Sequence, residues 1–193
     1  SHKFVAEHNR KPRILWLTKK SLVKSTPKEI KAWWPEATCL STATAKNLKE
    51  REFVLDLYFM GGDIMLTNYE TVRTTKRFAE IDWDLVVIDE VHKLKGGANA
   101  NGATAIWTAC KDVCAKARFT MMLSGTPMVN KPQEMWSYLH IFSPERFPTL
   151  RKFEDHYMEF KSIAGEFQMV VQADKLLQGA LKGQMIRRSR MEV

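Results

Sequence analysis

No Gly-x-x-x-x-Gly-Lys-Ser/Thr run occurs anywhere in the 193 residues. The commonest backbone cradle for nucleotide phosphates is therefore not among them. Cysteine is scarce. Cys39, Cys110 and Cys114 are an odd number without disulfide-like spacing, and no further Cys or His stands close enough to complete a zinc site. Cys110 and Cys114 fall four apart in a helical pattern, so both are expected to face a core, in a reducing, intracellular compartment. No apolar stretch reaches 18 residues, which excludes a membrane-spanning helix from this sequence. The opening Ser1-His2-Lys3-Phe4 is not a signal peptide and reads as the start of a processed or shortened chain. No internal repeat and no low-complexity tract is found. Acidic residues are outnumbered, 22 against 30 basic, which gives a formal charge of +8. Such a field favours an anionic partner, and nucleic acid fits best.

What is present is ordinary globular material. The apolar fraction of 45% suits one domain, or one domain with an appendage. A chain this long buries about 70% of its unfolded surface. Ile14 to Leu17, Thr38 to Ser41, Asp63 to Tyr69, Leu85 to Ile88 and Phe119 to Leu123 read as strands. Between them lie helical stretches. Thr26-Pro27-Lys28-Glu29 looks like a capping box that starts a helix carrying Ile30, Trp33 and Trp34, and Pro35 ends it. Residues 46–60 read as a helix with Leu48, Phe53, Val54, Leu57 and Tyr58 partly on one face, stopped by Gly61-Gly62. Residues 70–80 also read as helical. Ala103, Ile106, Trp107, Cys110, Val113, Cys114 and Ala117 recur at spacings of three and four, the cleanest amphipathic helix in the chain. Pro132 opens another, with Met135, Trp136, Leu139 and Phe142 inward. Strands alternating with helices predict an α/β fold with a parallel sheet over residues 1–142. From Ser143 the rhythm changes. Residues 143–193 read as a helical appendage, with helices over 150–161 and 173–182 and a short strand at Phe167 to Val171.

Two runs carry chemistry. Leu85-Val86-Val87-Ile88 ends in Asp89-Glu90-Val91-His92, and Met121-Met122-Leu123 ends in Ser124-Gly125-Thr126-Pro127. A buried parallel strand delivers polar groups in this way to the C-terminal edge of a sheet, where open α/β sheets bind ligands. A carboxylate at such a tip can hold magnesium against phosphates, and its neighbour can position a water. Alone, an Asp-Glu pair is commonly a solvated loop start and Ser-Gly-Thr-Pro a common turn. Their joint occurrence, each after an apolar strand and in this order, is far more specific.

These two runs resemble the Walker B motif and motif III of ATP-driven nucleic-acid motors of the DEAD/DEAH-like superfamily two. More of the chain resembles one branch, the Swi/Snf-family DNA translocases. Ile14 to Leu22 followed by Trp33 is similar to motif Ia, an apolar strand then Pro-x-Ser-Leu, with Lys19 where proline is usual. Asp63 to Glu70 is similar to motif Ib, and Met185 to Val193, with Arg187, Arg188 and Arg190, to the segment that leaves the first lobe. The resemblance implies a RecA-like (P-loop NTPase type) helicase lobe 1, with ATP bound between two such lobes and double-stranded DNA across both. It implies that Asp89 holds magnesium with ATP and that Glu90 activates water. His92, Ser124, Gly125 and Thr126 would couple hydrolysis to movement. Lys19, Lys20, Ser21, Thr67, Asn68, Arg187 and Arg188 would lie along the DNA.

The resemblance also implies partners. These are an upstream Walker A segment, which in the family precedes the point where this sequence starts, and a second RecA-like lobe. The chain by itself is expected to hydrolyse ATP negligibly. The Walker A strand would lie next to the strand at 119–123, so that strand is expected to have a bare edge. An upstream segment, another chain or self-association would fill it. Localisation would be cytoplasmic in a bacterium or phage and nuclear in a eukaryote. Two other readings remain: a non-catalytic DNA-binding or regulatory module derived from a helicase lobe, and a restriction-enzyme-type superfamily-two translocase subunit.

Overall fold

A computed structural model describes residues 7–98, 102–125, 133–163, 166–171, 179, 181–183 and 186. Five parallel strands form one sheet in the order β2-β3-β1-β4-β5. They are β1 Ile14–Thr18, β2 Cys39–Ser41, β3 Ile64–Asn68, β4 Leu85–Asp89 and β5 Phe119–Leu123. All five stand where the apolar runs predict them. Parallel strands need covered faces, and the side-chain alternation of β1 serves two cores. Leu15 and Leu17 enter the large cluster on one face, with Met65, Val86 and Ile88. Ile14 and Trp16 join a small cluster on the other face, with Val23, Ile64 and Leu66.

The helices are α1 Thr26–Trp33, α2 Leu48–Gly61, α3 Tyr69–Thr74, α4 Ala105–Ala115, α5 Glu134–Phe142 and α6 Leu150–Tyr157. Asn47 caps α2 by accepting from the Glu50 amide, Asn68 caps α3 and Thr104 caps α4. Each cap meets backbone amides that the helix itself leaves unpaired. As expected, α4 buries Trp107, Cys110, Val113 and Cys114. Behind β4, the 3-10 helix Val91–Ala98 lies against the start of α4. At Gly97 a β-carbon would come within 2.5 Å of the Trp107 ring, so glycine permits that approach.

Several local expectations fail for identifiable reasons. The capping box at Thr26 does not form. The turn before α1 runs straight into the helix, and the Thr26 hydroxyl donates back to the Leu22 carbonyl at 2.8 Å. In α2 the buried residues are Leu55 and Tyr58, whereas Leu48, Phe53 and Leu57 face solvent. The stretch 70–80 splits at Thr75 into α3 and the 3-10 helix Lys76–Ala79. The helix expected over 150–161 stops at Tyr157. The chain continues as β6 Met158–Ile163, which pairs antiparallel with β7 Glu166–Val171. The segment after Ser143 thus carries an antiparallel strand pair as well as helix, and cross-strand pairing is a contact that helical periodicity does not reveal. Most of the 173–182 stretch lies outside the described residues.

Two acidic clamps fix the entrance to the sheet. Asp84 takes two bonds from Arg10, at 2.6 and 2.9 Å, and one from the Arg13 amide at 2.7 Å. Asp63 pairs with Lys11 at 2.8 Å and accepts from the Thr38 amide at 2.8 Å. Burial pushes both carboxyls up, but these bonds outweigh it and hold both below the ordinary carboxylate range.

Candidate nucleotide and coupling site

The site is the C-terminal edge of β1, β4 and β5. Leu17 lies opposite Ile88, so the ends of the two central strands bring Thr18 beside Asp89. The wholly buried Thr18 hydroxyl donates to Asp89 Oδ2 at 2.8 Å. From the other side the Tyr69 hydroxyl donates to the Asp89 carbonyl, and burial pushes that phenol's pKa up. Asp89 is thereby fixed in side chain and backbone by two neighbours. The next residue, Glu90, sits at φ 58, in the left-handed region that a residue with a β-carbon rarely occupies. Such a conformation costs on the order of 1 kcal/mol or more and persists where its surroundings hold it.

The Glu90 carboxylate spans two partners. Oε1 meets Lys19 Nζ at 3.0 Å and Oε2 meets His92 Nδ1 at 3.2 Å. The Lys19 ammonium holds the Glu90 carboxyl below its ordinary range, against a smaller upward push from burial, and His92 and Lys93 add to it. A carboxylate only accepts, so the proton belongs on His92 Nδ1. The same nitrogen lies 3.4 Å from Ser124 Oγ, at the end of β5. A chain of polar contacts therefore runs from β1 through Glu90 and His92 to the loop after β5. These groups border an open cleft of about 1040 Å³, walled on its apolar side by Met121, Leu123, Tyr138 and Phe142.

The structure brings Asp89, Glu90, His92, Ser124 and Gly125 to this one cleft. Thr126, Arg187 and Arg188 lie outside the described residues. The residues expected along DNA separate into two groups. Lys20 and Ser21 are exposed on the turn after β1. Thr67 is wholly buried and shares a 2.7 Å hydroxyl contact with Thr42. Asn68 is buried too, and its side-chain oxygen caps α3 through the Thr71 amide at 3.0 Å. Both serve the fold rather than an outer surface, a correction to the sequence reading. Lys19 stands between these groups, half-exposed, with its ammonium engaged by Glu90 at the cleft. Sequence reasoning also missed Thr18 and Tyr69, which position Asp89. The signal for Thr18 was available, since a lone hydroxyl ending an apolar strand next to an acidic strand end is an uncommon residue to bury without a partner.

Among the described residues no group of three or more His, Cys, Asp or Glu side chains could hold a metal ion by itself. A single strand-tip carboxylate suits magnesium nonetheless, because that ion is commonly bound through one or two carboxylates together with substrate phosphates.

A parallel sheet with an acidic pair at its C-terminal edge, bridged to the neighbouring strand's tip, defines a RecA-like lobe. The chain belongs to the SNF2-related domain family, whose model matches residues 3–193. Among curated relatives, "Chromodomain-helicase-DNA-binding protein 1" of Gallus gallus is 27% identical over 157 residues, covering 78% of this chain and 9% of that protein. "DNA excision repair protein ERCC-6" of Mus musculus is 31% identical over 134 residues, covering 67% of this chain and 8% of that protein. The chain thus spans a small part of the length of these relatives. Among solved structures, the Sulfolobus solfataricus SWI2/SNF2 ATPase core in complex with dsDNA aligns with a TM-score of 0.63 at 22% identity. That alignment covers 81% of this chain and 30% of the other, and supports the fold.

Proposed function

We propose that this chain is part of the first lobe of an ATP-dependent, Swi/Snf-type translocase on double-stranded DNA. The observation that carries this reading is the Asp89-Glu90 pair at the tip of β4, held by Thr18 and Tyr69 and linked through His92 to Ser124. Asp89 would hold magnesium, which when bound neutralises phosphate charge and polarises the transferred group. Glu90 would orient the attacking water and accept its proton. His92 is placed to pass the state of Glu90 to the loop after β5, and the exposed Lys20 and Ser21 would meet the DNA backbone without reading sequence. The net charge of +8 suits such a partner.

The 193 residues contain no Gly-x-x-x-x-Gly-Lys-Ser/Thr loop, so under this reading the phosphate grip would come from outside them. Under this reading the chain alone turns over ATP negligibly. No helix among the described residues is long and apolar enough to cross a membrane. The reading implies the nucleus in a eukaryotic source and the cytoplasm in a bacterial or phage one.

The deciding experiment is ATPase activity of the full-length protein with and without duplex DNA, beside Glu90→Gln. Strong stimulation by duplex that falls by about 100-fold or more in the variant is the expected result, as befits loss of a general base. A native protein that binds duplex but never hydrolyses ATP would instead favour the non-catalytic module.

A further inference from the structure

The turn after β1 joins two things the proposed function keeps apart, the surface meant for DNA and the residue meant to activate water. Extending the β1/β4 register past Thr18 and Asp89 sets Lys19 opposite Glu90, and their side chains meet at 3.0 Å. Lys19 is one residue from the exposed Lys20 and two from the exposed Ser21. Its backbone is fixed, since its carbonyl accepts from the Leu22 amide at 2.9 Å and the Val23 amide at 3.2 Å, and the Val23 side chain is buried in the smaller core. Its side chain is not fixed in that way. About a third of it is exposed (34%), as is 29% of its partner, so water and a competing anion can reach the pair. Exposed or half-exposed ion pairs are weak enough to exchange partners. A phosphodiester is a strong competitor for a lysine, because binding it also releases counterions from the DNA.

We propose that Lys19 is a positioning residue that works as a DNA-sensitive latch on Glu90. This rests on the translocase reading above. With no duplex bound, the ammonium holds Glu90 Oε1 and keeps that oxygen from a water. A backbone phosphate seated at Lys20 and Ser21 draws the Lys19 side chain outward. Glu90 is then left with His92 alone and with one oxygen free to take a proton. The left-handed backbone of Glu90 fits this role, since a residue held in a rare conformation by its contacts relaxes when one contact is withdrawn. The latch explains in physical terms how duplex binding on one side of the loop reaches the chemistry on the other.

The test measures ATP hydrolysis by the full-length protein, without DNA and with saturating short duplex, for the native chain, Lys19→Met and Lys19→Arg. The expected result for Lys19→Met is a roughly two- to fivefold rise in the DNA-free rate, the size set by a half-exposed ion pair. The DNA-saturated rate changes less, so the stimulation ratio falls. Lys19→Arg keeps the charge and brings the ratio back towards that of the native chain, which a purely structural role for the side chain would not do. Lys19→Gln, neutral and polar, is the second variant should Lys19→Met fold poorly, and the same rise is expected of it. A DNA-free rate that is unchanged or lower in the neutral variants, beside normal DNA stimulation of the native protein, overturns the latch and leaves the translocase reading intact. A native protein that hydrolyses no ATP under any condition overturns that reading and the latch together.

Discussion

Strands β4 and β5 carry the same kind of sequence, an apolar run ending in polar residues, yet the fold treats them differently. β4 lies between β1 and β5, and Val86, Val87 and Ile88 are buried. β5 has β4 on one side and no strand on its other side among the described residues. On the face it shares with Val87, Phe119 is 61% exposed, Met121 50% and Leu123 37%. The acidic pair therefore grows from a strand paired on both sides, and Ser124 from one paired, among the described residues, on a single side. A catalytic carboxylate needs a fixed backbone, whereas a segment that passes on a conformational change needs freedom to shift.

The sharpest way to break the contrast is to cut the core under β4. Ile88→Ala should destabilise the chain by about 2–5 kcal/mol in chemical denaturation, the cost of an aliphatic cavity in a packed core. A loss under about 1 kcal/mol would mean that β4 is not the packed strand described. Next comes the hydrogen bond that fixes the β4 tip. Thr18→Val leaves Asp89 Oδ2 without its donor and should cost about 1–3 kcal/mol, read as a fall in the denaturation midpoint. An unchanged midpoint would show that water replaces the threonine freely.

The acidic clamps predict a pH response. The Asp63 and Asp84 carboxyls are held below the ordinary range in the fold, so the unfolded chain binds their protons first as pH falls. Their stabilisation is then fully present above the unfolded carboxylate value of about 4 and is lost as pH drops through the lower folded values. The double variant Asp63→Asn with Asp84→Asn should flatten the acid side of the stability profile, and an unaltered profile would count against both clamps. The smallest effect belongs to β5. Met121→Ala should cost less than about 0.5 kcal/mol in the 193-residue chain, the usual range for an exposed position. A larger loss would show that something covers this face in solution, and so would sharpen the contrast rather than leave it.

The five strands, the amphipathic α4 and the acidic tip were legible because each is a local pattern with a definite period or a strong chemical end. β6 was not, because Met158 to Ile163 continues a helical spacing that only the pairing with β7 overrides. The exposed side of α2 was misread for a related reason. Its apolar residues ring the helix, and the packing of Leu55 and Tyr58 against the sheet, not their spacing, selects the buried side.

Residue identity by itself determined the class of the chain. An Asp-Glu-x-His run and a Ser-Gly-Thr-Pro run, each behind an apolar strand and in that order, specify a strand-tip site, because alternation and strand length are set locally. Only the tertiary structure decided which residues share that site. Thr67 and Asn68 turn inward because β3 is buried along its whole length. Lys19 turns towards Glu90 because β1 and β4 are paired in one register, which sequence separation of 71 residues conceals. Backbone pairing across the sheet is a long-range choice, made by the burial of two apolar faces at once, and the contacts that follow from it cannot be read along the chain.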